Sequence, residues 1–248
     1  MNQIIYEETK YGTIYINRPE KHNAISVEMA QELSVKLEQI KDRPINFLII
    51  KSAGDTFCAG GDLNDFNGNL SEDEAYDRLH IMKQVLFQIV TFPVPTICLL
   101  QGNAYGGGCE LATACDIRIA KETTSFGFIQ SKLGILPSWG GGALLYEKIH
   151  PSFAFHWLTV GKMYSANFLH DKGWIHEVIS EDNWEDEQMI LKNFTQKTLE
   201  QMRYLKNQHI EALSIPILLE KMEKESARCS ALWGSQVHKQ AIKSFLHK

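Results

Sequence analysis

The segment Gly102-Asn103-Ala104-Tyr105-Gly106-Gly107-Gly108-Cys109-Glu110-Leu111 sets three consecutive glycines just ahead of a carboxylate, between an apolar run and an Ala-rich stretch. Glycines that open a helix leave backbone N–H groups accessible to a ligand, at the end where the helix dipole favours negative charge. A second glycine turn, Phe57-Cys58-Ala59-Gly60-Gly61-Asp62-Leu63, follows another apolar run. Taken singly, each reads equally well as an ordinary turn, with Glu110 doing no more than meeting the helix dipole. Taken together, two turns at the ends of neighbouring strands can each aim one N–H at a common point, which is the geometry that stabilises an oxyanion. A thioester suits such a pair, because its carbonyl oxygen gains charge as an enolate forms. Neither nucleotide-binding pattern fits: no Lys-Ser/Thr follows the glycines, and no G-x-G-x-x-G is present.

The elements that must hold these turns can be read from the apolar spacing. Residues 11–16 and 45–51 read as strands, the second nearly continuous in apolar residues and so expected to be buried on both faces. Between them Ser26 is placed to cap a helix whose Met29, Leu33, Leu37 and Ile40 share one face. Ser71 and Glu74 form a capping box ahead of Ala75, Leu79, Met82, Leu86 and Ile89, and Pro93 and Pro95 end that helix. The order then repeats as a strand over 96–101, the glycine run, a helix through Ala114 and a strand over 116–120. The passages around Leu48…Leu63 and Thr96…Leu111 resemble one another, each a strand, a turn, glycines, an acid and a Leu, as stacked turns of one unit would. After Pro137 the pattern is mainly helical, with Pro216 opening one helix and Ile242 and Phe245 packing near the end.

Composition narrows the partners. The 248 residues are 44% hydrophobic and 22% charged, which excludes wholesale disorder and a disulfide miniprotein, and the net charge of −5 leaves no excess of cations for a polyanion. The five cysteines form no CxxC pair and are expected to pack as reduced thiols. The nine histidines show no HExxH or paired ligand spacing, so no metal is expected, and His80 and His156 read as surface or packing residues. Ser138, in Leu136-Pro137-Ser138-Trp139-Gly140, resembles a nucleophile elbow without its first glycine and is expected instead to cap the next helix. The first residues carry neither a basic leader nor a long apolar stretch, and no segment is apolar enough to cross a bilayer, so a cytoplasmic protein without membrane contact is expected.

Four ordered motifs carry a resemblance. Asn17-Arg18-Pro19-Glu20-Lys21-His22-Asn23-Ala24, Phe57-Cys58-Ala59-Gly60-Gly61-Asp62-Leu63, Gly106-Gly107-Gly108-Cys109-Glu110-Leu111 and Cys115-Asp116-Ile117-Arg118 resemble the crotonase (enoyl-CoA hydratase/isomerase) superfamily across nearly the whole chain. The resemblance implies an α/β fold: a spiral of ββα turns over residues 1–185 and a C-terminal helical region, residues 186–248, that builds homotrimers or dimers of trimers. It also implies an acyl-CoA substrate with no separate cofactor, coenzyme A being part of the substrate. By residue matching, the N–H groups of Gly61 and Gly107 would form the oxyanion hole and Glu110 would handle protons. Lys21, His22, Ala59, Asp62 and Leu63 would meet coenzyme A, with Phe245 and Lys248 reaching it from the C-terminus.

Hydratases of this family hold water between two glutamates, and the second falls fourteen residues after Asp116, where this chain has Gln130. An amide does not transfer protons as a carboxylate does, which disfavours rapid two-carboxylate hydration. One consequence is that Gln130 merely packs and Glu110 alone performs isomerisation or slow hydration. The other is that the substrate brings its own carboxylate, as a malonyl-type CoA does, and Gln130 can donate to it where a glutamate would repel it. Gly134-Ile135-Leu136-Pro137-Ser138-Trp139-Gly140-Gly141 and Leu232-Trp233-Gly234 add similarity to the ethylmalonyl-CoA/methylmalonyl-CoA decarboxylase branch, which also lacks the second glutamate. Some relatives bind RNA through a lysine-rich helix; here that helix mixes Glu28, Glu32 and Glu38 with Lys36 and Lys41, so no nucleic acid is expected.

Overall fold

A run such as Leu48-Ile49-Ile50 can bury both faces only inside a sheet, whereas Met29, Leu33 and Leu37 need a helix lying on one. A computed structural model describing residues 2–246 resolves how the two patterns interlock. In chain order its elements are β1 (Ile4–Glu8), β2 (Gly12–Ile16), α1 (Val27–Ile40), β3 (Leu48–Ser52), β4 (Thr56–Cys58), α2 (Glu72–Val90), β5 (Thr96–Leu100), β6 (Asn103–Tyr105), α3 (Gly107–Ala114), β7 (Ile117–Lys121) and β8 (Ser125–Gly127). A 3-10 turn (Gln130–Leu133) follows, then α4 (Gly141–Lys148), α5 (Pro151–Val160), β9 (Tyr164–Ser165), α6 (Ala166–Asp171), β10 (Glu177–Ile179), α7 (Glu187–Thr195), α8 (Leu199–Ala212), α9 (Ile215–Ser230) and α10 (Gln236–Leu246).

The strands sort into two sheets of order β1-β2-β3-β5-β7-β10 and β4-β6-β8-β9. Each turn of the chain leaves one strand in the large sheet and the next, a short one, in the small sheet before a helix closes the turn. Successive turns stack in parallel register, Ile49 opposite Ile97 and Cys58 opposite Ala104. This is the ββα spiral expected of the fold, and the two look-alike passages are neighbouring turns of it. The hairpin strand β1 was not foreseen: it pairs antiparallel with β2, and of its five residues only Ile4 is fully buried, so apolar content alone does not mark it.

The helices are placed by their caps. Ser26 Oγ accepts from Met29 N, and Ser71 and Glu74 form the reciprocal capping box of α2, as their spacing predicts. Ser138 is a correction: α4 begins at Gly141 with Gly140 as its cap and no side-chain bond, because a carboxylate from α3 occupies the position a serine hydroxyl would need. α7 and α8 cover the outer face of the large sheet through Ile190, Leu191 and Met202, while α9 returns to pack on α2 and α4. All five cysteines are buried. Among the described residues no helix is long and apolar enough to cross a membrane, and no group of three or more His, Cys, Asp or Glu is placed to hold a metal ion.

Candidate active site

The two glycine turns expected to cooperate do meet. Gly60 has φ +97, which only glycine adopts readily, and a Cβ there would lie 3.3 Å from Gly107 N and 3.2 Å from Tyr105 O. Gly106, also left-handed at φ +51, donates to Gly127 O at 2.8 Å, and this turns the following peptide so that Gly107 N leads into α3. On the other turn, Ile25 N donates to Gly60 O and Asp62 N to Ile25 O, so both neighbours of Gly61 are tied down. Among the described residues neither Gly61 N nor Gly107 N has a protein acceptor. Aromatic rings wall both groups: a Cβ on Gly61 would sit 2.9 Å from the Phe66 ring, and one on Gly107 would overlap the Trp139 indole.

Both turns line a cavity of about 450 Å³ whose inner wall carries Glu110 and Gln130. Glu110, 1% exposed in the first turn of α3, is held by four donors. Its Oε2 accepts from Trp139 N at 2.8 Å and Gly141 N at 2.9 Å, Ser138 N lies 3.1 and 3.2 Å from its two oxygens, and Gln130 Nε2 donates to Oε1 at 2.9 Å. A Cβ on Gly141 would collide with Glu110, which is why a glycine stands there. Burial pushes the Glu110 carboxyl up to about 7, against the lowering effect of the backbone N–H groups and the Gln130 amide. At neutral pH the group is therefore divided between acid and carboxylate, the condition in which it can give a proton as well as take one.

Gln130 takes a place the sequence did not specify: its amide lies directly against Glu110, and its Oε1 is buried without a partner among the described residues. Among the described residues the only other acid on the cavity wall is Asp62. Burial resists its ionisation, yet Asn64 N at 2.9 Å and the Arg18 guanidinium at 2.5 Å hold its carboxyl below the usual range. Asp62 is thus held as the ion-pair partner of Arg18.

Lys21, His22, Ala59 and Leu63 line the same cavity with Asp62. His22 and Asn23 both have left-handed backbone, φ 50 and 55, and Asn23 holds the bend by accepting from Arg18 N and donating to Ala53 O and Thr56 O. Phe245 lies within α10 on its backbone alone; its side chain and Lys248 lie outside the described residues.

Two groups escaped sequence reasoning. His238, on α10 and 1% exposed, lies in the cavity wall with Nδ1 2.8 Å from Leu133 O and Nε2 without a partner among the described residues. Glu225, on α9, accepts from Gly142 N at 3.1 Å and Ala143 N at 2.7 Å, next to the N–H groups that hold Glu110. A signal existed for both, since each interrupts an apolar helix stripe: Leu218, Met222 and Cys229 around Glu225, and Ile242 four residues after His238.

A two-sheet ββα spiral with this site defines an acyl-CoA enzyme of the crotonase type. A family model described as enoyl-CoA hydratase/isomerase matches residues 7–248, and the chain belongs to that family. It is 30% identical over 242 residues to an ethylmalonyl-CoA decarboxylase from Pongo abelii, covering 95% of this chain and 80% of the relative. It is 34% identical over 180 residues to a crotonyl-CoA hydratase from Syntrophomonas wolfei, covering 72% of this chain and 69% of that one. In fold it matches the crystal structure of an enoyl-CoA hydratase from Bacillus halodurans with a TM-score of 0.88 at 24% identity, over 98% of this chain and all of that one.

Proposed function

We propose that the protein decarboxylates a short methyl- or ethylmalonyl-CoA by stabilising the thioester enolate. The observation that carries this reading is the pairing of Glu110 with the neutral Gln130 where a two-carboxylate water site would need a second proton-transferring acid. Gly61 N–H and Gly107 N–H form the oxyanion hole. As the bond from Cα to the carboxylate breaks, CO2 leaves, the electron pair forms the C=C bond of the enolate, and the negative charge collects on the thioester oxygen. A preorganised donor at such a point contributes roughly 3–4 kcal/mol to the transition state. Protonated Glu110 then delivers its proton to Cα, and solvent restores it. The carboxyl lifted to about 7 suits this step, because decarboxylation needs an acid afterwards and no base beforehand.

The likeness to ethylmalonyl-CoA decarboxylases along 95% of the chain favours this reading. The similarity to a crotonyl-CoA hydratase supports a second, in which Glu110 alone isomerises or slowly hydrates a short- or medium-chain enoyl-CoA. Coenzyme A enters as part of the substrate, over the Lys21–His22 bend and past Ala59, Asp62 and Leu63, with Phe245 and Lys248 at its far end. The C-terminal helices, residues 186–248, assemble the chain into a trimer or a pair of trimers, working in the cytoplasm and without nucleic acid. The test incubates purified protein with ethylmalonyl-CoA, methylmalonyl-CoA and crotonyl-CoA in turn, reading CO2 release and loss of enoyl absorbance. CO2 release with slow crotonyl-CoA loss is expected; fast hydration without CO2 overturns the reading.

A further inference from the structure

The second glycine run, Gly140-Gly141-Gly142, is not explained by a substrate. Gly140 takes φ +89, and the helix it opens, α4, has no side-chain cap. Two carboxylates from elsewhere in the chain take its first N–H groups: Gly141 N donates to Glu110 Oε2 at 2.9 Å, Gly142 N to Glu225 Oε1 at 3.1 Å and Ala143 N to Glu225 Oε2 at 2.7 Å. The glycines make room for both. A Cβ on Gly141 would collide with Glu110, and one on Gly142 would come within 2.5 Å of Glu225 Oε2. Glu110 reaches this turn from the cavity side, and Glu225 from the opposite side, on a helix that packs against α4.

We infer that Glu225 is a positioning residue that sets the proton affinity of Glu110 through the shared first turn of α4. The inference rests on the reading above in which Glu110 donates the proton. Two carboxylates on adjacent N–H groups of one helix end cannot both ionise freely, so a charge on one retains the proton on the other. The coupling is mutual: desolvation and the nearby Glu110 charge push the Glu225 carboxyl up, and ionisation of either acid holds the proton on the other. The groups that face Glu225 are Glu110 from α3, Tyr146 from α4, and Lys221, Lys224, Arg228 and Cys229 from its own helix. Lys221 is engaged by Glu147 and Lys224 by Glu220, so the pairing of the two acids is not simply cancelled by those lysines.

The experiment compares wild type with Glu225→Gln, which keeps an acceptor for α4 but removes the charge. The pH profile of kcat on ethylmalonyl-CoA is measured alongside the Glu110 carboxyl resonance in protein labelled with 13C at the glutamate side-chain carboxyls, that resonance assigned by its loss in Glu110→Gln. Both the basic limb and the resonance midpoint are expected to fall by about one pH unit. If both superimpose on wild type while only thermal stability drops, Glu225 is a helix cap and the inference is overturned. If the resonance midpoint falls and the kinetic limb stays, the coupling stands and the proton-donor role of Glu110 is what fails. Should Glu225→Gln not fold, the wild-type titration decides: each of the two carboxyl resonances showing both inflections supports the coupling, and independent single inflections contradict it.

Discussion

The two glycine runs of the chain each open an eight-residue helix, and those helices, α3 and α4, pack on one another. Their N–H groups are used in opposite ways. At Gly106-Gly107-Gly108 the turn keeps Gly107 N without a protein acceptor among the described residues, beside the cavity. At Gly140-Gly141-Gly142 the N–H groups of Gly141 and Gly142 are taken by acids of the protein itself, the buried Glu110 and the half-buried Glu225. In the reading proposed above, the first run receives developing negative charge; the second is a nest that holds in place the carboxyl that titrates next to it. The same sequence signal therefore serves either binding or positioning, and what decides is whether a carboxylate of the chain reaches the helix end.

The far end of α3 sharpens the contrast. Arg118 and Lys148 donate to the carbonyls of Ala112, Ala114 and Cys115, so the negative end of the helix is met by cations while the positive end stays open at Gly107. Arg118 is buried and Lys148 half-buried, and desolvation brings the Lys148 ammonium down to about 7. The pair is structural: neither lines the cavity that holds Glu110.

Breaking the nest at its occupant should have the largest effect. Glu110→Gln keeps the shape, because the new amide oxygen can accept from Trp139 N and Gly141 N while the Gln130 amide turns over to face the new NH2. Turnover should nevertheless fall on the order of 10²–10⁴-fold in a CO2-release assay, since the enolate must then take its proton from water. Breaking the nest at its wall comes next. Gly141→Ala forces a methyl against Glu110 and should cost about 1–3 kcal/mol of stability, a fall in Tm of about 2–4 °C per kcal/mol by calorimetry, along with roughly tenfold or more in turnover.

Gln130→Glu converts the neutral partner into a second acid. Malonyl-CoA turnover should drop about tenfold through repulsion, and crotonyl-CoA hydration, followed by enoyl absorbance, should rise. The smallest effect is on stability. The Glu110 carboxyl is raised from 4.5 to about 7, so the native state holds a proton that the unfolded chain has lost between those values. This contribution is complete below about pH 4.5 and is lost as pH rises to about 7, by of order 1–3 kcal/mol. His176, brought down to about 4 by burial, contributes in the opposite sense over the same range in both proteins, so the urea midpoint of wild type should fall relative to that of Glu110→Gln between pH 4.5 and 8.

Much of this was legible in the residues. Period-3.6 stripes with Ser caps located α1 and α2, and the two look-alike passages gave the stacked turns, because caps and apolar spacing are local. Gly60-Gly61 and Gly106-Gly107-Gly108 were readable as partners because each follows a buried strand. What stayed hidden depends on distant chain segments meeting. Glu225 lies 115 residues after Glu110 and reaches the same helix end only because α9 folds back onto α4, and nothing local to Ser138 reveals that its N–H, rather than its hydroxyl, does the work. The Nε2 of His238, unpartnered among the described residues, is likewise placed only once α10 covers the cavity.

Whether an enolate is held at Gly61 and Gly107 and protonated by Glu110 is decided by running the reaction on ethylmalonyl-CoA in D2O and analysing the product by mass spectrometry and NMR. The expected product carries one deuterium at Cα in a single configuration per CO2 released, and Glu110→Gln yields slower product of mixed configuration. Unchanged rate and configuration in Glu110→Gln, or no CO2 alongside rapid crotonyl-CoA hydration by wild type, would contradict it.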